Sequence, residues 1–346
     1  MRIAQVSPLV ESVPPKLYGG TERLVSFLTE ELVSQGHEVT LFATGDSVTR
    51  ARLLSPAPRG LRLDPDCTHP LAYSVLMLEQ VMARAADFDV IHWHLDLVHF
   101  PLARRCPTPG VTTLHGRLDM SELVPLFSEF KDLSLVSISD AQRRPLPKQK
   151  WAATVYHGLP VNLLRPRDGP GEYLAFLGRI SPEKGADTAI RIAKEAGLPL
   201  KIAAKVDRAD QHYFERIIEP MLRDSGVEFL GEIDEQQKGE FLGGAIALLF
   251  PIDWPEPFGL VMIEAMACGT PVIAFNRGSV PEIIEDGGSG VVVENEREAV
   301  QATRRVRSMS RRGVRTAFER RFTAARMAGD YLALYRKLID ARSADR

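Results

Sequence analysis

Thiols are scarce: 346 residues contain only Cys67, Cys106 and Cys268. They lie far apart, are odd in number and form no C-x-x-C pair, so neither a zinc ribbon nor a disulfide framework is expected. Reduced thiols in a cytoplasmic protein are the simplest expectation. An excess of one charge is also missing. A net charge of −2 argues against a polyanion binder, and nucleic acid is not an expected partner. No uncharged apolar run approaches the roughly 20 residues needed to span a bilayer. The opening "MRIAQVSPLV" reads as a short strand broken at Pro8 rather than as a secretory signal. The expected location is cytoplasmic, at most peripheral at the inner membrane face. There is no G-x-x-x-x-G-K-[ST] loop, and the double glycine in "YGGTER" is not the G-x-G-x-x-G fingerprint.

What is present is ordinary for a globular enzyme of about two domains: 45% hydrophobic and 25% charged residues. Short apolar stretches alternate with longer amphipathic ones. The pattern predicts strands over 2–6, 38–43, 90–93, 111–114, 133–138 and 153–156, and helices over 21–35, 73–86 and 140–148. Leu24, Phe27, Leu28 and Leu32 mark the buried face of the first helix. After the Pro/Gly-rich "RPRDGPGEY" the alternation restarts. Strands are predicted over 173–177, 200–204, 228–230, 245–250, 271–274 and 290–293, and helices over 185–196, 210–224, 234–242, 260–268 and 296–307. Repeated β-α-β order implies parallel sheets with helices on both faces. The fold class is therefore α/β, two Rossmann-like doubly wound domains facing across a cleft, with ligands beyond the carboxyl ends of the strands.

The stretch "WPEPFGLVMIEAMACGTPVIA" carries the most chemistry. Pro255 and Pro257 hold Glu256 in an extended loop, so the helix can begin only near Phe258 or Gly259. Its first turn, Gly259, Leu260 and Val261, would offer free backbone N–H groups and the positive end of the helix dipole to phosphate. Glu264, inside the helix, would lean back toward the same mouth. Like charges repel, so the two glutamates would bind hydroxyls of a sugar and a ribose, not phosphate. The structural alternative is one capping and one buried, salt-bridged glutamate. In "LAFLGRISPEKG" a strand is expected to end at Gly178, with Arg179 and Lys184 flanking a turn and Gly185 opening a helix. Two cations at a strand's carboxyl end suit a diphosphate, and cations that grip a leaving phosphate more tightly in the transition state lower the barrier. Surface charges around a turn are the alternative.

Weaker signals surround these. Gly19 and Gly20 would let backbone approach a ligand, although many double glycines are only tight turns. His115, in "VTTLHGRLD", could bind a sugar hydroxyl or orient an acceptor, or be structural. His92, His94, Asp96 and His99 invite a metal, but no fourth ligand is evident. Asp64 and Asp66 have D-x-D spacing in what reads as a plain turn. No metal site is expected. Residues 304–346 carry thirteen Lys/Arg against four Asp/Glu. Attraction to an anionic membrane or acidic acceptor is one reading of that excess, and a solvated helical face is the favoured one.

These motifs together resemble the retaining glycosyltransferases of family 4, with the GT-B fold. "YGGTER", "GHEVTLFA", "LHGR", "LGRISPEKG", "VEFLGEI" and "EPFGLVMIEAMACGTPVIA" occur in that family's order across nearly the whole chain. The resemblance implies an acceptor domain over 1–164, a nucleotide-sugar donor domain over 165–322, and a C-terminal helix over 323–346 crossing back to the first domain. It implies a metal-independent enzyme with no cofactor, moving sugar from a UDP- or GDP-sugar co-substrate to a small-molecule, glycan or lipid-linked acceptor with retention. Arg179 and Lys184 would grip the diphosphate and Gly20, beside Gly19, would approach its distal phosphate. Glu256 would bind sugar hydroxyls, Glu264 the ribose, and the backbone at Gly259 and Leu260 would meet phosphate, with Phe258 and Val261 among the donor-binding residues. Ile233 would lie near the base, Lys205 would be an extra phosphate contact, and His115 would touch the sugar or place the acceptor. His157 stands where the family's pattern leads one to expect asparagine, and "IAAKVDRAD" lacks an expected glycine. The alternatives are a nucleotide-sugar epimerase, hydrolase or sugar phosphorylase on the same architecture, or a non-catalytic nucleotide-sugar binding protein.

Overall fold

The computed structural model describes residues 1–16, 19–223 and 226–344. Tyr18 of the double-glycine motif and Asp224, the end of the expected helix 210–224, lie outside the described residues. The chain divides into two compact units, Met1–Pro160 with Ala324–Arg346, and Val161–Thr323.

The first unit holds seven strands: β1 (Arg2–Val6), β2 (Glu38–Phe42), β3 (Arg52–Leu54), β4 (Val90–Trp93), β5 (Gly110–Thr113), β6 (Leu135–Ser137) and β7 (Trp151–Thr154). They lie all parallel in the order β3-β2-β1-β4-β5-β6-β7. The second unit holds β8 (Tyr173–Ile180), β9 (Leu200–Val206), β10 (Val227–Gly231), β11 (Ala245–Phe250), β12 (Val272–Phe275) and β13 (Gly290–Val293). Their order is β10-β9-β8-β11-β12-β13, again all parallel. Each sheet reverses its winding beside its first strand. The junctions β1/β4 and β8/β11 are therefore the switch points where an open α/β sheet leaves a crevice for ligand.

Several expected elements change, each for a local reason. β8 does not end at Gly178 but continues to Ile180, so Arg179 is a strand residue paired in register with Lys205. The helix expected over 140–148 spans only Asp140–Arg143, because Pro145 and Pro147 have no N–H to continue it. The helix expected over 210–224 is broken into a 3-10 turn, a short α piece, a π-helical turn at Phe214–Ile218 and a last piece, Glu219–Met221. Pro220 sits in that last piece, and its ring pushes against the carbonyl of the preceding turn. Strand β3 and the short helices Phe100–Ala103 and Leu123–Glu129 were not expected.

Helix starts follow the capping residues. Asn295 accepts from the N–H of Glu298, and Asp234 forms a reciprocal capping box with Gln237. The helix Leu260–Ala267 is buried along Met262–Ala267 and seats on β11, β12 and the helix Arg311–Arg321. Each fully buried aliphatic side chain there contributes about 1.5–3 kcal/mol. The C-terminal helix, Ala324–Ala344, belongs to the first unit, where Met327, Tyr331, Leu332 and Tyr335 are buried against the helix Gly20–Ser34 and β4. Among the described residues no helix is long and apolar enough to cross a membrane.

The basic C-terminal segment is not simply a solvated face. Arg315 gives hydrogen bonds to the carbonyls of Ala267 (2.6 Å), Leu164 (2.9 Å) and Val161 (2.6 Å), and Arg311 to those of Gly243, Ala245 and Arg167. Ala267 and Gly243 are the last residues of their helices. These arginines place positive charge on helix carbonyl ends that have no partner within the helix.

Candidate active site

In the second unit the switch point is drawn together by backbone. Gly185 has φ 72, and a Cβ there would lie 2.3 Å from the carbonyl oxygen of Pro251, so only glycine lets the loop after β8 close on the end of β11. The N–H of Asp253 donates to Glu183 O at 2.9 Å, joining the same loops. Glu256 is then fixed from the β12 side. Gly278 has φ 54 and would bring a Cβ to 2.4 Å from the Glu256 N and O, while Ser279 N–H donates to Glu256 O (3.0 Å). The Ser279 hydroxyl donates to Phe258 O at 2.9 Å. Gly259 is the N-cap of the helix Leu260–Ala267. The Phe258 side chain faces the core, edge-on to Phe322.

The side chains gather as ion pairs. Lys184, at the end of the 3-10 turn Pro182–Lys184, places Nζ 2.5 Å from Glu256 Oε2 and 4.7 Å from the Trp254 ring centroid. The structure thus brings the expected leaving-group lysine and the expected sugar-binding glutamate into contact beside the helix tip. Arg179 donates to Glu183 (2.8 Å) and faces Asp207 (3.7 Å) and Asp210 (3.9 Å). Lys205 pairs with Asp207 at 3.0 Å. The cations expected to contact a diphosphate are therefore compensated. Arg179, Lys184 and Lys205 contact the four carboxylates Glu183, Asp207, Asp210 and Glu256. A diphosphate arriving there would exchange with carboxylates rather than meet bare charge.

Glu264 is buried and accepts from Lys238 Nζ at 2.7 Å. Lys238 was not singled out from the sequence. Its place on the helix Glu235–Gly243, shortly after Ile233, is the only signal, and that signal requires the fold. Ile233 is half-buried in the loop after β10. Trp254, Asp207 and Asp210 were likewise missed. The tryptophan beside "PEP" and the acids following Lys205 become informative only once Lys184 and Arg179 are placed.

Gly19, Gly20 and His115 lie in the first unit. Gly19 caps the helix Gly20–Ser34, whose first turn carries Glu22, buried and with its pKa raised by that burial. His115 follows β5 and belongs to a polar chain on one face of the sheet. His115 Nε2 is 2.9 Å from His94 Nδ1, and His94 Nε2 is 2.9 Å from Gln5 Oε1. Gln5 Nε2 donates to the Tyr335 hydroxyl at 3.2 Å, which lies 2.6 Å from His92 Nδ1. His92 Nε2 is 2.7 Å from Thr113 Oγ1, itself 2.8 Å from the Tyr331 hydroxyl. His157, the departure from the expected asparagine, stacks on His115 with centroids 5.3 Å apart. Burial holds His92, His94 and His157 well below the ordinary imidazole value and brings His115 to about 4. These rings are neutral at physiological pH.

Both nitrogens of His92 and of His94 are thus hydrogen-bonded within the protein, and His99 bonds Thr112 Oγ1, on β5. Asp64 accepts from the N–H of Asp66 and closes its own turn. Among the described residues no group of three or more His, Cys, Asp or Glu side chains could hold a metal ion.

Residues 18–159 match Glycosyltransferase Family 4, and residues 165–321 match Glycosyl transferases group 1. The chain is 28% identical over 345 residues to the glycogen synthase of Mycobacterium tuberculosis, covering 84% of this chain and 82% of that protein. It is 27% identical to the phosphatidyl-myo-inositol mannosyltransferase of Mycolicibacterium smegmatis, covering 85% and 81%. The crystal structure of AviGT4, a glycosyltransferase involved in avilamycin A biosynthesis, superposes with a TM-score of 0.75 at 26% identity, covering 98% of each chain.

Proposed function

Starting from a chain that is a glycosyltransferase of the GT-B, family 4 type, we propose that it transfers a sugar from a UDP- or GDP-sugar to an acceptor with retention and without a metal. The observation that carries this reading is the Lys184–Glu256 contact beside the tip of the helix Leu260–Ala267, at the β8/β11 switch point. Amides of Gly259, Leu260 and Val261, with Lys184 and Arg179, hold the diphosphate. As the bond from the anomeric carbon to phosphate oxygen breaks, charge grows on that oxygen and the lysine stabilises it. The acceptor oxygen bonds the anomeric carbon on the same face, and its proton passes to the departing phosphate. Diphosphate binding takes Lys184 from Glu256 and frees that carboxylate for sugar hydroxyls. Glu264, steadied by Lys238, accepts from the ribose, and Ile233 lies beside the base.

A panel of nucleotide sugars, scored by thermal shift and by release of nucleoside diphosphate, tests the reading. A donor at a hundred times its Kd stabilises by about 2.7 kcal/mol. One sugar should both stabilise and turn over, with rate unchanged in EDTA and the product anomer matching the donor's. Stabilisation with no turnover on any acceptor would leave a binding protein, and an inverted product would overturn retention.

A further inference from the structure

Lys184 has a neighbour besides Glu256, and the two differ in kind. Its Nζ lies 2.5 Å from Glu256 Oε2 and, over the Trp254 ring, 4.7 Å from the ring centroid. That is inside the roughly 6 Å at which an indole face attracts a cation. Backbone holds the ring there. Asp253, the residue before it, donates its N–H at 2.9 Å to the carbonyl of Glu183, the residue before the lysine. The Trp254 carbonyl itself accepts from Glu256 N–H at 2.8 Å, closing a three-residue turn around Pro255. The half-buried tryptophan is therefore tied on one side to the loop of the lysine and on the other to the glutamate.

We infer that Trp254 is a positioning residue that keeps the Lys184 ammonium at the β8/β11 switch point when Glu256 is not its partner. A carboxylate and a phosphate oxygen compete for the same N–H donors, and their like charges drive one away as the other arrives. The indole attracts the ammonium through its ring quadrupole and carries no charge for a phosphate to repel. It keeps its hold through the exchange. Arg179 stands differently, facing Glu183, Asp207 and Asp210, three carboxylates that an arriving phosphate would repel. The consequence for diphosphate binding rests on the reading of Lys184 as a diphosphate ligand; the hold on the lysine does not.

The test is NMR of the full chain with ¹³C-labelled lysine, the Lys184 side chain being assigned through its loss in Lys184→Met. Without ligand, the Lys184 ε-protons should be shifted upfield of the other lysines by the indole ring current. The shift should persist in Glu256→Gln, and again in the wild type saturated with UDP or GDP. Return to the ordinary lysine position in Glu256→Gln would overturn the inference with no change made at the tryptophan. Trp254→Leu should weaken whichever of UDP and GDP the wild type binds by about three- to ten-fold, and Trp254→Phe, which keeps a weaker π face, by about two-fold. In a Lys184→Met background Trp254→Leu should change that affinity less than about two-fold. Equal losses with and without the lysine would make the ring mere loop packing and overturn the inference. If neither UDP nor GDP binds while the shift persists in Glu256→Gln, the nucleotide-sugar reading fails and the hold of Trp254 on Lys184 stands.

Discussion

The two units assemble their polar clusters by opposite means. In the second, Arg179, Lys184 and Lys205 contact carboxylates, and Lys184 also lies over the Trp254 ring. In the first, the chain from Tyr331 to His115 is neutral, and every link is a hydrogen bond. Ionic contacts tolerate exchange, since a diphosphate can take a carboxylate's place at the same cation. A neutral chain offers no such ionic swap, because none of its members carries a charge for an anion to replace.

The strongest way to break this comparison is Lys184→Ala. Loss of one preorganised charge at a leaving group should lower kcat about 10²–10³-fold, with about 1–2 kcal/mol of stability lost because Glu256 is left unpaired. A denaturation curve beside the rate measurement separates the two, and matching losses would make the lysine structural. Next comes Arg315→Met. Carbonyls of Ala267, Leu164 and Val161 lose their donor together. We expect the urea midpoint of the second unit to fall by the equivalent of about 2–4 kcal/mol; a shift under about 0.5 kcal/mol would show that water replaces the guanidinium.

Acid should separate the units. His115 sits at about 4 and His99 at about 3, against an ordinary 6.5, because burial disfavours their charged forms. The unfolded chain binds these protons first, so the first unit is fully stabilised above pH 6.5 and loses stability as pH falls from there toward 4. In the second unit, burial pushes Asp187 up, but hydrogen bonds from Arg191 and Tyr213 outweigh it and hold the carboxyl below its ordinary 3.8. That contribution is lost only below about that pH. Hydrogen exchange at pH 7 and pH 5 should therefore show protection falling in the first sheet before the second, and the reverse order would contradict the neutral reading of the histidines. The smallest effect is expected for Glu256→Gln. Turnover should fall about ten-fold, while affinity for the bare nucleoside diphosphate stays level or rises, since a competing charge is gone. Weaker diphosphate binding would place Glu256 outside the sugar pocket.

Local rules made most of the fold legible. The fully buried run Ala245–Phe250 reads as an inner parallel strand, while Gly290–Val293, equally apolar, is the edge strand of the same sheet. Where the expected elements failed, a local conflict decided. Pro220 broke a helix that periodicity alone would continue, and Arg52–Leu54 is too short for alternation to show. The loop around Glu256 was legible because prolines and a glycine leave it few conformations. Its partners were not. Lys184 reaches Glu256 across 72 positions, and His92 meets Tyr335 across 243. Such pairings depend on which strands neighbour one another, and no single stretch of residues records that. The structural use of Arg311 and Arg315 was hidden similarly, because a basic run looks the same whether it faces water or caps carbonyls.

The return of Ala324–Ala344 to the first unit bears on how the chain matures during synthesis. Residues 161–323 are contiguous and can compact once they clear the ribosome. The sheet that is translated first must wait until the final helix emerges to cover Gln5 and His92. Until then that face, with its buried glutamine and imidazoles, stands open to water, so the half that is made earliest is finished last.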